Sequence, residues 1–196
     1  GNTGFYRIDE KGTVLSRIGE QMGLKNTVLS VGVNNRGDIW LGLNGGIMMI
    51  EESVKEESLL LDPQENIGYV YCAVNQKEQL YVGTNKGLFR VNKADKQVNF
   101  ALVPESKGQV WNLYNIGDEV IVAHNKGLFS VFNGMFREIK HSGVYALVPV
   151  PSRPGYYISG NYVGLSLYEI KDGKLVFRNN ISGYGDLVQN CVFDKD

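Results

Sequence analysis

The sequence predicts an all-β propeller, and three observations carry that prediction. A unit of about 40 residues recurs along the chain. Each unit holds short apolar runs separated by turn residues. The second run of each unit is apolar at successive positions rather than alternating. Strand-built self-similarity at this period marks blades arranged about an axis. A strand that is apolar at every position is covered on both faces, which is the environment of a blade between two others.

The unit is clearest around its central hairpin. Asp38-Ile39-Trp40-Leu41-Gly42-Leu43-Asn44-Gly45-Gly46-Ile47 returns as Gln79-Leu80-Tyr81-Val82-Gly83-Thr84-Asn85-Lys86-Gly87-Leu88, and again as Glu119-Val120-Ile121-Val122-Ala123-His124-Asn125-Lys126-Gly127-Leu128. A looser copy ends in Ser159-Gly160-Asn161-Tyr162-Val163-Gly164-Leu165. The hairpin glycines Gly46, Gly87, Gly127 and Gly164 stand 41, 40 and 37 residues apart.

Taken in order, the elements of a unit follow from residue chemistry. The first strand alternates: Val28 to Val33, Tyr69 to Val74, Val110 to Tyr114 and Val144 to Val148. A polar turn follows, Asn34-Asn35-Arg36-Gly37 in the first unit and Asn115-Ile116-Gly117-Asp118 in the third, rich in residues that tolerate positive φ. Next comes the apolar second strand. It ends in a small residue (Gly42, Gly83 or Ala123) that permits close approach of another backbone. Asn-x-Gly then reads as a hairpin loop with glycine in the left-handed position. The third strand runs directly from it, and a less regular fourth closes the unit.

These readings divide the chain into full blades at residues 28–62, 69–103, 109–140 and 143–178. Residues 1–18 match the second half of a blade, and residues 187–196 match the first strand of a next one. The expectation is therefore an incomplete arc of four four-stranded blades with partial blades at both ends. A compact ring with one thin blade is the alternative. The end blades of an open arc expose apolar faces, so the expected partners are the remaining blades of a parent protein or a second copy.

The chain has 196 residues, enough to bury a substantial core. A formal net charge of −1 gives no general attraction to nucleic acid or to an anionic membrane, so neither is an expected partner. Cys72 and Cys191 are too few for a disulfide framework, and both read as buried thiols.

The repeated form, apolar-Trp-apolar-Gly-Thr, then Asn-x-Gly-Leu and an aromatic, resembles the two-component regulator propeller repeat. Asn35, Gly37, Ile39, Trp40, Gly42, Asn44 and Gly46 carry the match in the first copy. Leu80, Tyr81, Gly83, Thr84, Asn85, Gly87, Leu88 and Phe89 carry it in the second, and Asn125, Gly127, Leu128 and Phe129 in the third. The fourth copy departs, with Tyr157 and Ser159 near the Trp-x-Gly place. The resemblance implies a non-catalytic sensor segment of a hybrid histidine kinase on the periplasmic side of an inner-membrane receptor. It implies a glycan-derived ligand. It implies no direct membrane contact from this segment. A cytosolic interaction platform is the alternative, disfavoured because the Gly-His and Trp-Asp markers of that repeat class are missing. A propeller lyase or hydrolase is a further alternative.

Candidate ligand residues sit early in the first strands. Tyr71, Trp111 and Tyr145 occupy the same place in three units, and Gln109 and Asn112 flank Trp111 with amides. Aromatic faces there could stack on sugar rings. Packing between blades is the plainer account. Tyr156, Tyr157 and Tyr162 gather at the fourth hairpin, and Tyr184 lies in the loop before the last run; this rim could contact a ligand or a partner chain, with Tyr184 a candidate ligand residue, and ordinary surface tyrosines are the plainer account. His124 has no second ligand at metal spacing, so no metal or other cofactor is expected. Nothing in the spacing of Ser130, His141 and Asp118 places them together as a triad.

Overall fold

The computed structural model describes residues 4–19, 24, 26–33, 37–51, 56–61, 67–94 and 97–193. Residues 34–36, 52–55 and 194–196, parts of a predicted turn, acidic loop and last strand, lie outside them. The described residues form eighteen strands and five antiparallel sheets, with no helix among them.

A two-stranded sheet, β1 (Gly4–Ile8) and β2 (Val14–Gly19), comes first. Four meanders follow, each of four strands in chain order. The first comprises β3 (Val28–Val33), β4 (Ile39–Leu43), β5 (Gly46–Glu51) and β6 (Glu56–Leu61). The second comprises β7 (Val70–Gln76), β8 (Gln79–Thr84), β9 (Leu88–Ala94) and β10 (Gln97–Leu102). The third comprises β11 (Val110–Ile116), β12 (Glu119–His124), β13 (Gly127–Phe132) and β14 (Met135–Lys140). The fourth comprises β15 (Val144–Pro149), β16 (Tyr156–Asn161), β17 (Gly164–Lys171) and β18 (Lys174–Ile181).

The core lies between successive sheets. Tyr81, Leu88, Leu113, Val122 and Phe129 fill the space between the second and third. Ile121, Leu128, Leu147, Tyr168 and Leu175 fill that between the third and fourth. The second strands supply both faces of this packing, and all six residues of β12 are buried. The first strands are innermost and run side by side. Gln76 Nε2 donates to the Gly117 carbonyl at 3.0 Å, and Asn115 Nδ2 donates to the Asn75 carbonyl at 2.9 Å. The Tyr114 hydroxyl accepts the Leu147 N–H at 2.9 Å.

The small residue closing the second strand is the seat for the next blade. A Cβ on Gly83 would stand 2.5 Å from Val110 Cγ1, and one on Gly42 2.9 Å from Val70 Cγ1. On the fourth sheet, a Cβ on Gly160 would stand 2.9 Å from Val188 Cγ1. Val188 thus sits where the first residue of a next blade belongs, and its N–H donates to the Asn161 carbonyl at 2.9 Å. Of the strand expected over 187–196, the described residues 187–193 nevertheless join no ladder. Alternation sets which side of a strand faces the core, but a strand also needs a neighbour for its N–H and C=O groups.

The hairpin glycines also differ from expectation. Gly87 and Gly164 have φ of 147° and 103°, but in the first hairpin the positive φ falls on Gly45 (86°), and Gly127 is not left-handed. Gly127 is required instead because the Lys140 carbonyl passes where its Cβ would be. The asparagine has its own role. Asn85 Oδ1 accepts the Tyr69 N–H at 2.8 Å, and Asn125 Oδ1 accepts the Gln109 N–H at 3.0 Å. Each hairpin is thereby tied to the chain entering the first strand of its own sheet.

Candidate functional site

Each first strand carries the same irregularity. The ladder shifts register between Val28 and Ser30, Val70 and Cys72, Val110 and Asn112, and Val144 and Ala146. Such a bulge leaves one residue outside the pairing and re-aims its side chain. The four residues so displaced are Leu29, Tyr71, Trp111 and Tyr145. Three are aromatic, and they meet. Tyr71 and Trp111 stack with centroids 5.7 Å apart and 20° between planes. Trp111 and Tyr145 follow at 5.1 Å and 36°.

A fourth ring extends the row. Tyr145 stacks on Tyr162 at 4.7 Å and 30°, and Trp111 Nε1 donates to the Tyr162 hydroxyl at 3.2 Å. Tyr162 comes from the β16–β17 hairpin, at the same end of the sheets as the bulges. Burial raises the pKa of its hydroxyl above the ordinary tyrosine value. Gly143 makes the room, since a Cβ there would stand 2.8 Å from the Tyr162 ring. All four rings are half-buried. The result is a continuous aromatic row crossing three blades, edged toward solvent and without a charged member.

The remaining predicted residues divide. Asn112 is exposed beside the row, and its Nδ2 donates to the Tyr145 carbonyl at 3.1 Å. Gln109 is held through its backbone by Asn125, at 3.0 and 2.9 Å. Tyr184 is not brought to the row by any contact seen. It is exposed, with its carbonyl against Gly164. Sequence reasoning grouped Tyr162 with surface tyrosines and so missed its place in the row.

The groups considered for catalysis are spent elsewhere. His141 Nδ1 lies 3.1 Å from Glu138, and Asp118 pairs with Lys77 at 3.2 Å. Ser130 is buried. His124 is fully buried, with Nδ1 accepting the Lys126 N–H at 3.1 Å and the ring edge-on to Phe129. Burial pushes its pKa down to about 4. A lysine and a serine do meet between the third and fourth sheets, where Lys140 Nζ stands 3.1 Å from Ser166 Oγ. Ser166 is wholly buried and already shared with Asn161 and Asn180, so no substrate reaches it. Among the described residues, no three His, Cys, Asp or Glu side chains gather as a metal site.

No family model and no curated protein matches the sequence. Solved structures do match the fold. The extracellular domain of BT4673 from B. thetaiotaomicron, described as a proposed one-component system, aligns over 84% of this chain and 23% of its own at 18% identity and a TM-score of 0.60. A second structure of that domain, described as a proposed hybrid two-component system, aligns over 92% and 28% at 12% identity and 0.61. The dihydro-heme d1 dehydrogenase NirN aligns over 94% and 43% at 13% identity and 0.65. The chain spans about a quarter of the length of the sensor domains it matches. These likenesses establish the propeller-like fold, shared by sensor ectodomains and by an enzyme. Among the described residues, no helix is long and apolar enough to cross a membrane.

Proposed function

We propose that this chain is a non-catalytic, ligand-sensing propeller segment of a two-component receptor, working outside the cytoplasm and responding to a glycan-derived ligand. The repeat resemblance and the sensor-ectodomain neighbours support the sensor role. One observation carries the binding site: the bulge-displayed row Tyr71–Trp111–Tyr145–Tyr162. The bulge recurs in all four first strands, and in three successive ones the residue it displaces is aromatic, which brings those faces together. A neutral, flat, half-exposed aromatic surface suits the apolar faces of sugar rings, and the exposed Asn112 amide beside it suits hydroxyl groups.

A sensor needs its ligand to favour one arrangement of the receptor over another; the propeller can stay rigid while it does so. Calorimetry of the protein against a panel of oligosaccharides tests the reading, with Trp111→Ala as control. Heat on titration that disappears in the variant supports it. A clean response to another class of molecule, with none to any glycan, refutes the glycan assignment.

A further inference from the structure

Comparison of the blades at one position shows a missing side chain. Gly32 in β3 corresponds to Val74 in β7, Tyr114 in β11 and Val148 in β15. Val74 and Tyr114 pack against the cores between their own blades and the next. Tyr114 reaches far enough to bond the Leu147 N–H. Gly32 offers nothing to the space between the first and second blades, and a cavity of about 250 Å³ lies there. Gly32, Val33, Trp40, Ala73, Val74 and Leu80 line it, with Asn75 and Asn115. A neighbouring cavity of about 170 Å³ shares Gly32, Trp40 and Ala73 and reaches Ser30, Tyr71 and Asn112.

Trp40 is the cross-strand partner of Gly32, so an indole folded over a bare glycine would be the ordinary explanation. The geometry rules that out: a Cβ added to Gly32 would meet no atom within 4 Å. The glycine is not needed for backbone conformation either, because its φ is not positive. It therefore leaves a gap that neither packing nor the chain's path requires. Gly32 is itself exposed, so the gap opens to solvent on the inner side of the sheets.

We propose that this gap is a ligand pocket for a single uncharged ring compound, beside the aromatic row and meeting it at Tyr71. Its walls are apolar side chains and one indole, its rim carries amides, and among the described residues no charged one lines either cavity. A charged ligand would lose hydration and meet no counter-charge among these residues. The volume suits one ring, being below the roughly 300–1,000 Å³ of sites for drug-sized ligands.

The chain has two tryptophans, so Trp111→Phe leaves Trp40 as the sole indole, excited apart from the tyrosines at the red edge of the absorption band, and removes the indole from the aromatic row. In that background, 4-nitrobenzyl alcohol should quench emission saturably, and 4-nitrobenzoate should quench without saturation. Adding Gly32→Val, which supplies the side chain the second blade already has, should weaken binding of the alcohol about tenfold or more without lowering the melting temperature. Gly32→Ala should weaken it less, and covers the case in which valine disturbs β3. Unsaturable quenching by the alcohol, equal binding of the benzoate, or unchanged affinity in both glycine variants would overturn the proposal.

Discussion

Trp111 and Tyr162 lie 51 residues apart, yet the indole N–H of one donates to the hydroxyl of the other at 3.2 Å. The bond ties the inner strand of the third blade to the hairpin of the fourth. It also aligns the ring that both contact, Tyr145. The row is thus both an inter-blade fastening and a surface, and the two roles can be separated. Trp111→Phe keeps a ring but loses the donor, so it should cost about 1 kcal/mol while near-ultraviolet dichroism keeps the Tyr145–Tyr162 signal. Trp111→Ala removes two ring contacts and half-buried area, and should cost about 2–4 kcal/mol by urea denaturation. Equal costs for the two variants would mean that ring stacking contributes little.

Two glycines should respond in opposite ways to alanine. A Cβ on Gly83 would stand 2.5 Å from both Cys72 Sγ and Val110 Cγ1, inside the seat of the third blade. Gly83→Ala should therefore destabilise by about 2–3 kcal/mol through overpacking. Gly32 has open space at its Cβ and no positive φ. Gly32→Ala should stabilise by about 0.4–1 kcal/mol through the unfolded chain's lost freedom. Thermal melts of the two single variants check both signs.

The blades are legible in the sequence because their signals are local. The Gly42 and Gly83 seats, the Asn-x-Gly hairpins and the doubly apolar second strands each state a requirement within a few residues. The aromatic row is only half legible. Tyr71, Trp111 and Tyr145 share a repeat position, which brings them together, but the bulge that aims them is set by pairing with the second strand. Tyr162 joins from another element, and the only trace in the sequence is Gly143, small where the equivalent places hold Tyr69 and Gln109. The last predicted strand fails for a different reason. Leu187 to Phe193 has the alternation of a first strand and Val188 takes its seat, but a ladder depends on a partner that alternation cannot reveal.

His124 gives the fold a pH dependence. It is buried and neutral, with its pKa lowered from 6.5 to about 4. The unfolded chain therefore binds a proton that the folded one refuses at intermediate pH. Stability is full above about pH 6.5 and falls as the pH drops toward 4, by up to about 3 kcal/mol for this group. Leu43 occupies the same place in the first blade, so His124→Leu should fold and should lose less stability between pH 7 and pH 4.5 than the parent. Parallel slopes for parent and variant would show that the imidazole is not what titrates.

Lys140 brings a cation to the polar cluster between the third and fourth blades. Its Nζ donates to Ser166 Oγ at 3.1 Å and to Asn180 Oδ1 at 2.6 Å, and lies 4.6 Å from the Phe177 ring centroid. Burial lowers its pKa, so the site tolerates the charge rather than being built around it. The cluster behind it runs through Asn161 to Ser159 and Tyr168, all buried. Lys140→Met would keep the stem and remove the donor, leaving the Asn180 oxygen to share Ser166 alone. Ser166 Oγ keeps the Asn161 amide and Asn180 Oδ1 keeps the Ser166 hydroxyl, so the expected cost is only about 0.5–1.5 kcal/mol by urea denaturation. Ser166→Ala should cost more than Lys140→Met, because it leaves the buried Asn161 amide without its acceptor. A Lys140→Met variant as stable as the parent would show that the lysine's role is packing of its stem against Phe177.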